Sequence, residues 1–318
     1  MATNRFTGQI KTVLLLGTLT AIVVGAGSLA APSYAWAFAF AGVAMNVGMW
    51  FFSDRLVLRT SGARLLEPAE APDLHQMVGE LARAANIPTP TLYLIEADYA
   101  NAFATGRNPA HGAVAVTSGL LQALSRREVR GVVAHEIAHI RNRDVTIATV
   151  AAGLAAVVSG VANALQFSAF FGGGRDDEDH GGNIIGTLAF ALIAPIAASL
   201  VQLAISRSRE YVADATAARL TGDPEALATA LERLSVAAER RPAQVEPATA
   251  SLYIVNPLTG GGLAGLFSTH PPMEERIARL RGPLAAAVAS ATTITGAGAA
   301  PPPTRWGRQH DRARAAWR

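Results

Sequence analysis

Four stretches without a charged residue constrain this chain more than any other feature. Residues 12–31, 34–52, 145–171 and 183–206 carry no Asp, Glu, Lys or Arg. A helix that crosses a bilayer needs about 20 mostly apolar residues, and each run is long enough. The runs fall in two pairs, the first split only by Pro32 and Ser33, the second by a Gly-rich turn at 172–182. The pattern predicts two transmembrane hairpins. Composition agrees: 50% of the 318 residues are hydrophobic and 16% charged, where a soluble domain carries about 25% charged. A disordered chain is excluded, because disorder needs few apolar residues and high net charge.

The basic residues give the hairpins an orientation. Arg5 and Lys11 precede the first run, and Arg55, Arg59 and Arg64 follow the second. Arg141 and Arg143 precede the third, Arg207 and Arg209 follow the fourth, and the turn between those two is acidic around Arg175. Positive residues stay on the cytoplasmic side. Both termini and the polar middle are therefore expected in the cytoplasm, on a multi-pass membrane protein. A cleaved signal peptide ending near Ser28, Leu29 and Ala30 is the alternative for the first run. That run is longer than a signal core, and a second apolar run follows at once. The third and fourth runs could instead be buried helices, but 27 uncharged residues in the third are long for a soluble core. The net charge of +3 gathers in the last 18 residues, where Arg305, Arg308, Arg312, Arg314 and Arg318 face Asp311. A nucleic-acid partner would need a basic face on a folded domain, and none is expected here.

The polar remainder forms two blocks. In the first, the spacing of Leu74, Met77, Val78 and Leu81 predicts a helix over 68–86. Short strands are expected at 91–95 and 113–117, with loops elsewhere. The second block predicts a helix continuing from the fourth run, another over 224–238 and a short one over 273–280. The resulting fold class is mostly α, an α+β catalytic domain with a small sheet, plus four transmembrane helices in two hairpins. By residue number the division is 1–60 first hairpin, 61–144 first catalytic part, 145–206 second hairpin, 207–282 second catalytic part, and 283–318 a flexible Ala/Pro/Arg-rich tail.

The chain has no cysteine, so any metal site must use His, Asp and Glu. Ser125 and Glu128 form a capping-box pattern that starts a helix, and that helix carries His135, Glu136 and His139 as His-Glu-x-x-His. His135 and His139, four apart, share one helix face and can bind one ion. Glu136 is rotated about 100° from His135, a position suited to a general base rather than a ligand. Zinc lowers the pKa of bound water to about 7, within reach of a carboxylate at neutral pH. A catalytic site takes a third protein ligand and leaves a position open. His75, His111, His180, His270 and the carboxylates are all candidates for it. The most promising are Glu210 and Asp214, four apart on a helix: one can bind metal while the other braces a histidine ring.

In these residues and their order the chain resembles the HtpX family of bacterial membrane zinc endopeptidases. The resemblance rests on His-Glu-Ile-Ala-His at 135–139 and Ser-Arg-Ser-Arg-Glu-Tyr-Val-Ala-Asp at 206–214. It also rests on Asn-Ala-Phe-Ala-Thr-Gly at 101–106, Ala-Val-Thr-Ser-Gly-Leu-Leu at 115–121 and Thr-His-Pro-Pro-Met-Glu-Glu-Arg-Ile at 269–277. It spans about residues 10–282. It implies one zinc per subunit held by His135, His139 and Glu210, with Glu136 as general base and acid and Asp214 orienting one of the histidines. It further implies that the strand at 112–117 is the sheet edge on which substrate adds a strand. Asn101 would position the substrate, and His270 or Arg276 would stabilise the oxyanion. The implied role is cleavage of misfolded or membrane proteins in quality control or stress response. Two other classes stay in view: an intramembrane metalloprotease, disfavoured by Arg126, Arg127, Arg130, Arg141 and Arg143 around the motif, and a non-catalytic membrane sensor with a retained zinc site.

Overall fold

In the computed structural model, the backbone is described over residues 32–146, 207–240 and 271–295, with single positions 17, 20, 24, 149 and 254. The second apolar run forms α1 (Ala35–Thr60). Its outer face leaves Trp36 73% and Phe40 75% exposed, with Val43, Val47, Phe51 and Phe52 alongside. Its charged end turns inward instead, burying Val57 and Leu58 against Ile95, Phe103, Ala113 and Ala115. Among the described residues, no helix is both long and apolar enough to cross a membrane. The four transmembrane helices are therefore not seen there, and the first, third and fourth runs lie almost wholly outside the described residues.

After a two-residue strand, β1 (Arg64–Leu65), α2 (Pro72–Ala85) begins. The expected start at 68 is displaced because 68–70 form a turn, with the Glu70 N–H on the Glu67 carbonyl. Pro72 then opens the helix, where a missing N–H costs nothing. Leu74, Met77, Val78 and Leu81 are buried as their spacing requires. Asn86, in left-handed geometry at φ 55°, ends the helix.

The sheet is completed by β2 (Thr91–Ile95), β3 (Ala102–Thr105) and β4 (Ala113–Thr117), in the order β1-β2-β4-β3. β4 pairs parallel with β2 and antiparallel with β3. The expected substrate edge at 112–117 is thus an interior strand with both sides satisfied, and among the described residues the sheet ends at β3 on that side. Gly106 makes the β3–β4 turn possible. At φ 135°, a Cβ there would stand 2.4 Å from the His111 carbonyl oxygen.

The helices α3 (Ser118–Ala123) and α4 (Arg126–Asn142) follow. The capping box at Ser125 and Glu128 forms in both directions, and Arg143 closes α4 in left-handed geometry at φ 63°. Against α4 lie α5 (Arg207–Thr221) and α6 (Pro224–Arg240). Gly131 lets α4 and α6 approach, since a Cβ there would meet the Leu227 nitrogen at 2.9 Å. One apolar core fills the space between the sheet and these helices. The chain returns as α7 (Met273–Arg279), passes through a π-helical turn at Leu280–Leu284, and continues as α8 (Ala285–Thr295). The wide turn accommodates Pro283, which has no N–H to give. The segment expected as tail is therefore helical as far as Thr295.

Candidate metal centre

The pitch of α4 brings His135 and His139 together, their ring centroids 4.7 Å apart and nearly perpendicular at 88°. Their Nε2 atoms are 3.1 Å apart. Glu210, in the first turn of α5, completes the cluster: Oε1 lies 3.5 Å from His139 Nε2 and Oε2 3.7 Å from His135 Nε2. In a tetrahedral site with bonds near 2.0–2.1 Å, ligand atoms stand about 3.3 Å apart. The three separations scatter around that value, so the donors fit one tetrahedral ion without moving far. Among the described residues this is the one group of three His, Cys, Asp or Glu side chains that could hold a metal.

The surroundings are dry and polar at once. His135, Glu136, Glu210 and Asp214 are buried, and His139 is partly open. The Asp214 carboxylate accepts from His135 Nδ1 at 2.9 Å. Of the two rings Asp214 could have braced, it braces this one. Burial lowers the His135 pKa, partly offset by that hydrogen bond, so the ring tends to the neutral form a metal requires. Burial also lowers the His139 pKa, but the Asp144 and Glu210 carboxylates outweigh it and raise it to about 9. Protons and a cation therefore compete for His139.

Glu136 faces the strand edge. Its carboxylate accepts from the Ala104 N–H on β3, and its pKa is raised to about 7, chiefly by burial, with Glu210 adding to the rise. A carboxylate poised near neutrality beside a metal-ligand cluster can take and return a proton at physiological pH.

Arg276 is completely enclosed. Its Nε and Nη2 donate to the two Asp214 oxygens at 2.9 and 2.7 Å, and its Nη1 stands 3.4 Å from Glu210 Oε2. Of the two side chains expected at the oxyanion, this one thus engages Asp214 and Glu210, with its Nη2 also 3.4 Å from His135 Nε2. Asn101 is engaged through its side-chain oxygen and its backbone. Its Oδ1 accepts from the Ile254 N–H at 3.2 Å, and its backbone pairs with Thr117. It fixes the approach to β3. His270 lies outside the described residues, as do His180 and His310. His75 bonds the Leu66 carbonyl and His111 bonds Asn108, both away from the cluster. Sequence reasoning missed Asp144, whose Oδ2 lies 3.4 Å from His139 Nδ1. The signal was an acid five residues beyond His139, just past a helix end.

A His-Glu-x-x-His helix crossed by a glutamate-bearing helix, beside the last described strand of a small sheet, defines a metallopeptidase type of site. The chain belongs to peptidase family M48, whose family model matches residues 68–284. It is 50% identical over 277 residues to a protein named Protease HtpX homolog from Syntrophobacter fumaroxidans, covering 86% of this chain and 98% of that one. A protein of the same name from Desulforapulum autotrophicum is 46% identical over 276 residues (86% and 89% covered), and one from Burkholderia mallei 48% over 275 (85% and 95%). Among solved structures, the crystal structure of S. mikatae Ste24p aligns at 20% identity and TM-score 0.47, covering 88% of this chain and 67% of that one. The chain is accordingly a peptidase that acts on protein substrates.

Proposed function

We propose that this peptidase is a zinc-dependent endopeptidase held in the bacterial plasma membrane, cutting peptide bonds at the cytoplasmic face. The observation that carries the reading is the juxtaposition of His135, His139 and Glu210 with Glu136 and β3, the last described strand of the sheet. Zinc at the two histidines and Glu210 would supply Lewis-acid polarisation of the scissile carbonyl and acidify water. The rest is the work of the chain. An extended substrate pairs its backbone with β3, which among the described residues has no strand on its outer side. Glu136 removes a proton from water as the water oxygen attacks the carbonyl carbon. It then gives that proton to the amide nitrogen as the C–N bond breaks. Asp214, itself clamped by Arg276, holds the His135 ring in the tautomer that presents Nε2. Asn101 keeps the start of β3 in place, and an oxyanion role for His270 stays part of the proposal.

Membrane attachment is supported by the four uncharged runs and by the aromatic face of α1, since contiguous exposed apolar surface marks a membrane or partner contact. The proposed division is that of the sequence, with hairpins at 1–60 and 145–206, catalytic parts at 61–144 and 207–282, and both termini in the cytoplasm. A site beside the bilayer reaches loops of misfolded membrane proteins, which suits quality control. The test is casein cleavage by detergent-purified protein, wild type beside Glu136→Gln, with zinc measured on both. Cleavage by the wild type alone, with about one zinc on each, upholds the reading. Zinc on both with cleavage by neither overturns it in favour of a sensor.

A further inference from the structure

Asp214 accounts for one histidine of the pair, and the other ring needs the same support. A histidine that offers Nε2 to an ion carries its proton on Nδ1, and an acceptor there fixes both tautomer and ring angle. His139 directs Nδ1 away from the cluster, towards Asp144 Oδ2 at 3.4 Å, and both side chains are largely buried at 15% and 17% exposure. Local backbone geometry puts the carboxylate there. Arg143 takes the left-handed conformation, and its N–H closes on the His139 and Ile140 carbonyls. The chain therefore folds back at once, and the next residue comes to lie under the last histidine. The other oxygen, Oδ1, faces Arg209 Nη1 at 3.9 Å, and Arg209 immediately precedes Glu210.

We propose that Asp144 is the positioning residue of His139, as Asp214 is of His135, and that Arg209 holds Asp144 in that place. The proposal rests on the reading that His135, His139 and Glu210 bind zinc. It has a consequence for architecture. Asp144 is the last residue before the third apolar run, and Arg209 stands three residues past the end of the fourth. The pair thus ties both feet of the predicted second hairpin to the metal centre, one to a histidine and the other to the glutamate.

The competing explanation is structural: Asp144 also starts the helical segment at 144–146, where an acid is favourable whatever His139 does. Zinc affinity separates the two. The full chain in detergent is titrated with zinc against a chelating indicator, as wild type, Asp144→Asn, Asp144→Ala and Glu210→Gln. Removing an outer partner of a ligating histidine costs about 10- to 100-fold in metal affinity. That loss is expected for Ala. Asn is expected to fall between, because its amide oxygen still accepts from Nδ1–H but brings no charge. The metal-free melting temperature should fall in Ala and Asn alike, since each takes the carboxylate away from the largely buried Arg209, and KM for a peptide should not move. An Ala variant within about twofold of wild type overturns the proposal, allowing for the usual size of such effects. So does an Asn variant that binds zinc as weakly as Ala, which would leave no role for an acceptor at His139 Nδ1. Should the Ala variant not fold, Asn decides: weaker binding than wild type upholds the proposal and equal binding overturns it. If Glu210→Gln holds zinc as tightly as wild type, the failure lies with the ligand set and not with Asp144.

Discussion

Arg276 is the side chain this fold can least do without. It is fully enclosed, and its fork engages both oxygens of a buried aspartate that in turn holds a histidine. Removing one partner of such a pair leaves a charge in the interior with nothing to balance it, which costs about 3–5 kcal/mol. Arg276→Met is therefore expected to destabilise the protein by that amount, measured by thermal or denaturant unfolding. It should also weaken zinc binding through the slackened Asp214. Lysine at 276 restores the charge but not the two-point contact, so it should recover only part of the loss. Glu136→Gln is the opposite case. It keeps size and fold, leaves the ligand set intact, and is expected to lower cleavage by at least about 10²–10⁴-fold, the usual scale of general acid–base catalysis. A Gln variant that cuts casein at the wild-type rate would remove Glu136 from the mechanism. At this scale the sequence was readable wherever a helix sets the spacing. His135, Glu136 and His139 sit on one turn, and Glu210 with Asp214 on another. The choice of Glu210 from among the candidate third ligands came from resemblance, not spacing. Arg276 is 62 residues from Asp214, and no local pattern announces a partner at that distance.

Helices here are fixed to one another by backbone approach and by shared end caps. A methyl at Gly131 would meet the backbone of α6 at 2.9 and 3.0 Å, and backbone cannot step aside as a side chain tip can. Gly131→Ala adds helix propensity worth about 1 kcal/mol, but forcing α4 and α6 apart costs about 1–3 kcal/mol. A net loss of stability is expected, and because α4 carries both histidines, weaker zinc binding with it. Asp223 works at the other end of the same contact. Its Oδ1 accepts from the Ala226 N–H at the start of α6, and both its oxygens engage Arg127 near the start of α4. Burial pushes its pKa up, but the hydrogen bond from Arg127 and the one from Ala226 win, and it lies below the ordinary value. A depressed carboxylate adds stability above its unfolded pKa, about 3.9, and that stability is lost as pH falls through the folded value. Asp223→Ala should thus cost about 1–2 kcal/mol near neutrality. The penalty should shrink below about pH 3.9, as thermal melts across that range will report. A penalty independent of pH would mean that the carboxylate charge is idle. The elements legible in advance were the helices α2, α4, α5, α6 and α7 and the short apolar strands β2 and β4. β3 was not among them. Ala-Phe-Ala-Thr is buried on both faces and so shows no alternation, and it sits between Asn101 and Gly106, both of which read as loop. The edge role expected of β4 came from the resemblance alone, and β3 lies outside it. β1, only two residues long, carries no pattern at all.

Taken whole, the described residues combine a catalytic body, with apolar clusters on both faces of its sheet, and a helix face on α1 that neither cluster absorbs. The described part of α1 illustrates the division: Val57 and Leu58 are inside, while Trp36 and Phe40 face outward. Arg107 stacks over the Phe51 ring at 5.4 Å and bonds the Phe51 carbonyl, which joins the β3–β4 turn to the foot of α1. Charge and aromatic ring therefore meet where the proposed membrane surface meets the catalytic body, the level at which amphipathic side chains settle. The absence of cysteine makes the proposed topology directly measurable, because one introduced thiol is the whole signal. Cysteine replaces Arg175 in the acidic turn, Glu96 on the catalytic body, or Arg318 at the end of the chain, one at a time, in intact cells. A membrane-impermeant maleimide should label position 175 from outside, and positions 96 and 318 only after the cells are opened. That pattern puts the second hairpin across the bilayer with the catalytic body inside, so that substrates come from the cytoplasm and from loops on that side. Labelling of position 96 in intact cells would reverse the orientation. Position 175 protected until lysis would mean that the third and fourth runs do not span, and the Asp144–Arg209 bridge would then close a hairpin packed within the cytoplasmic body.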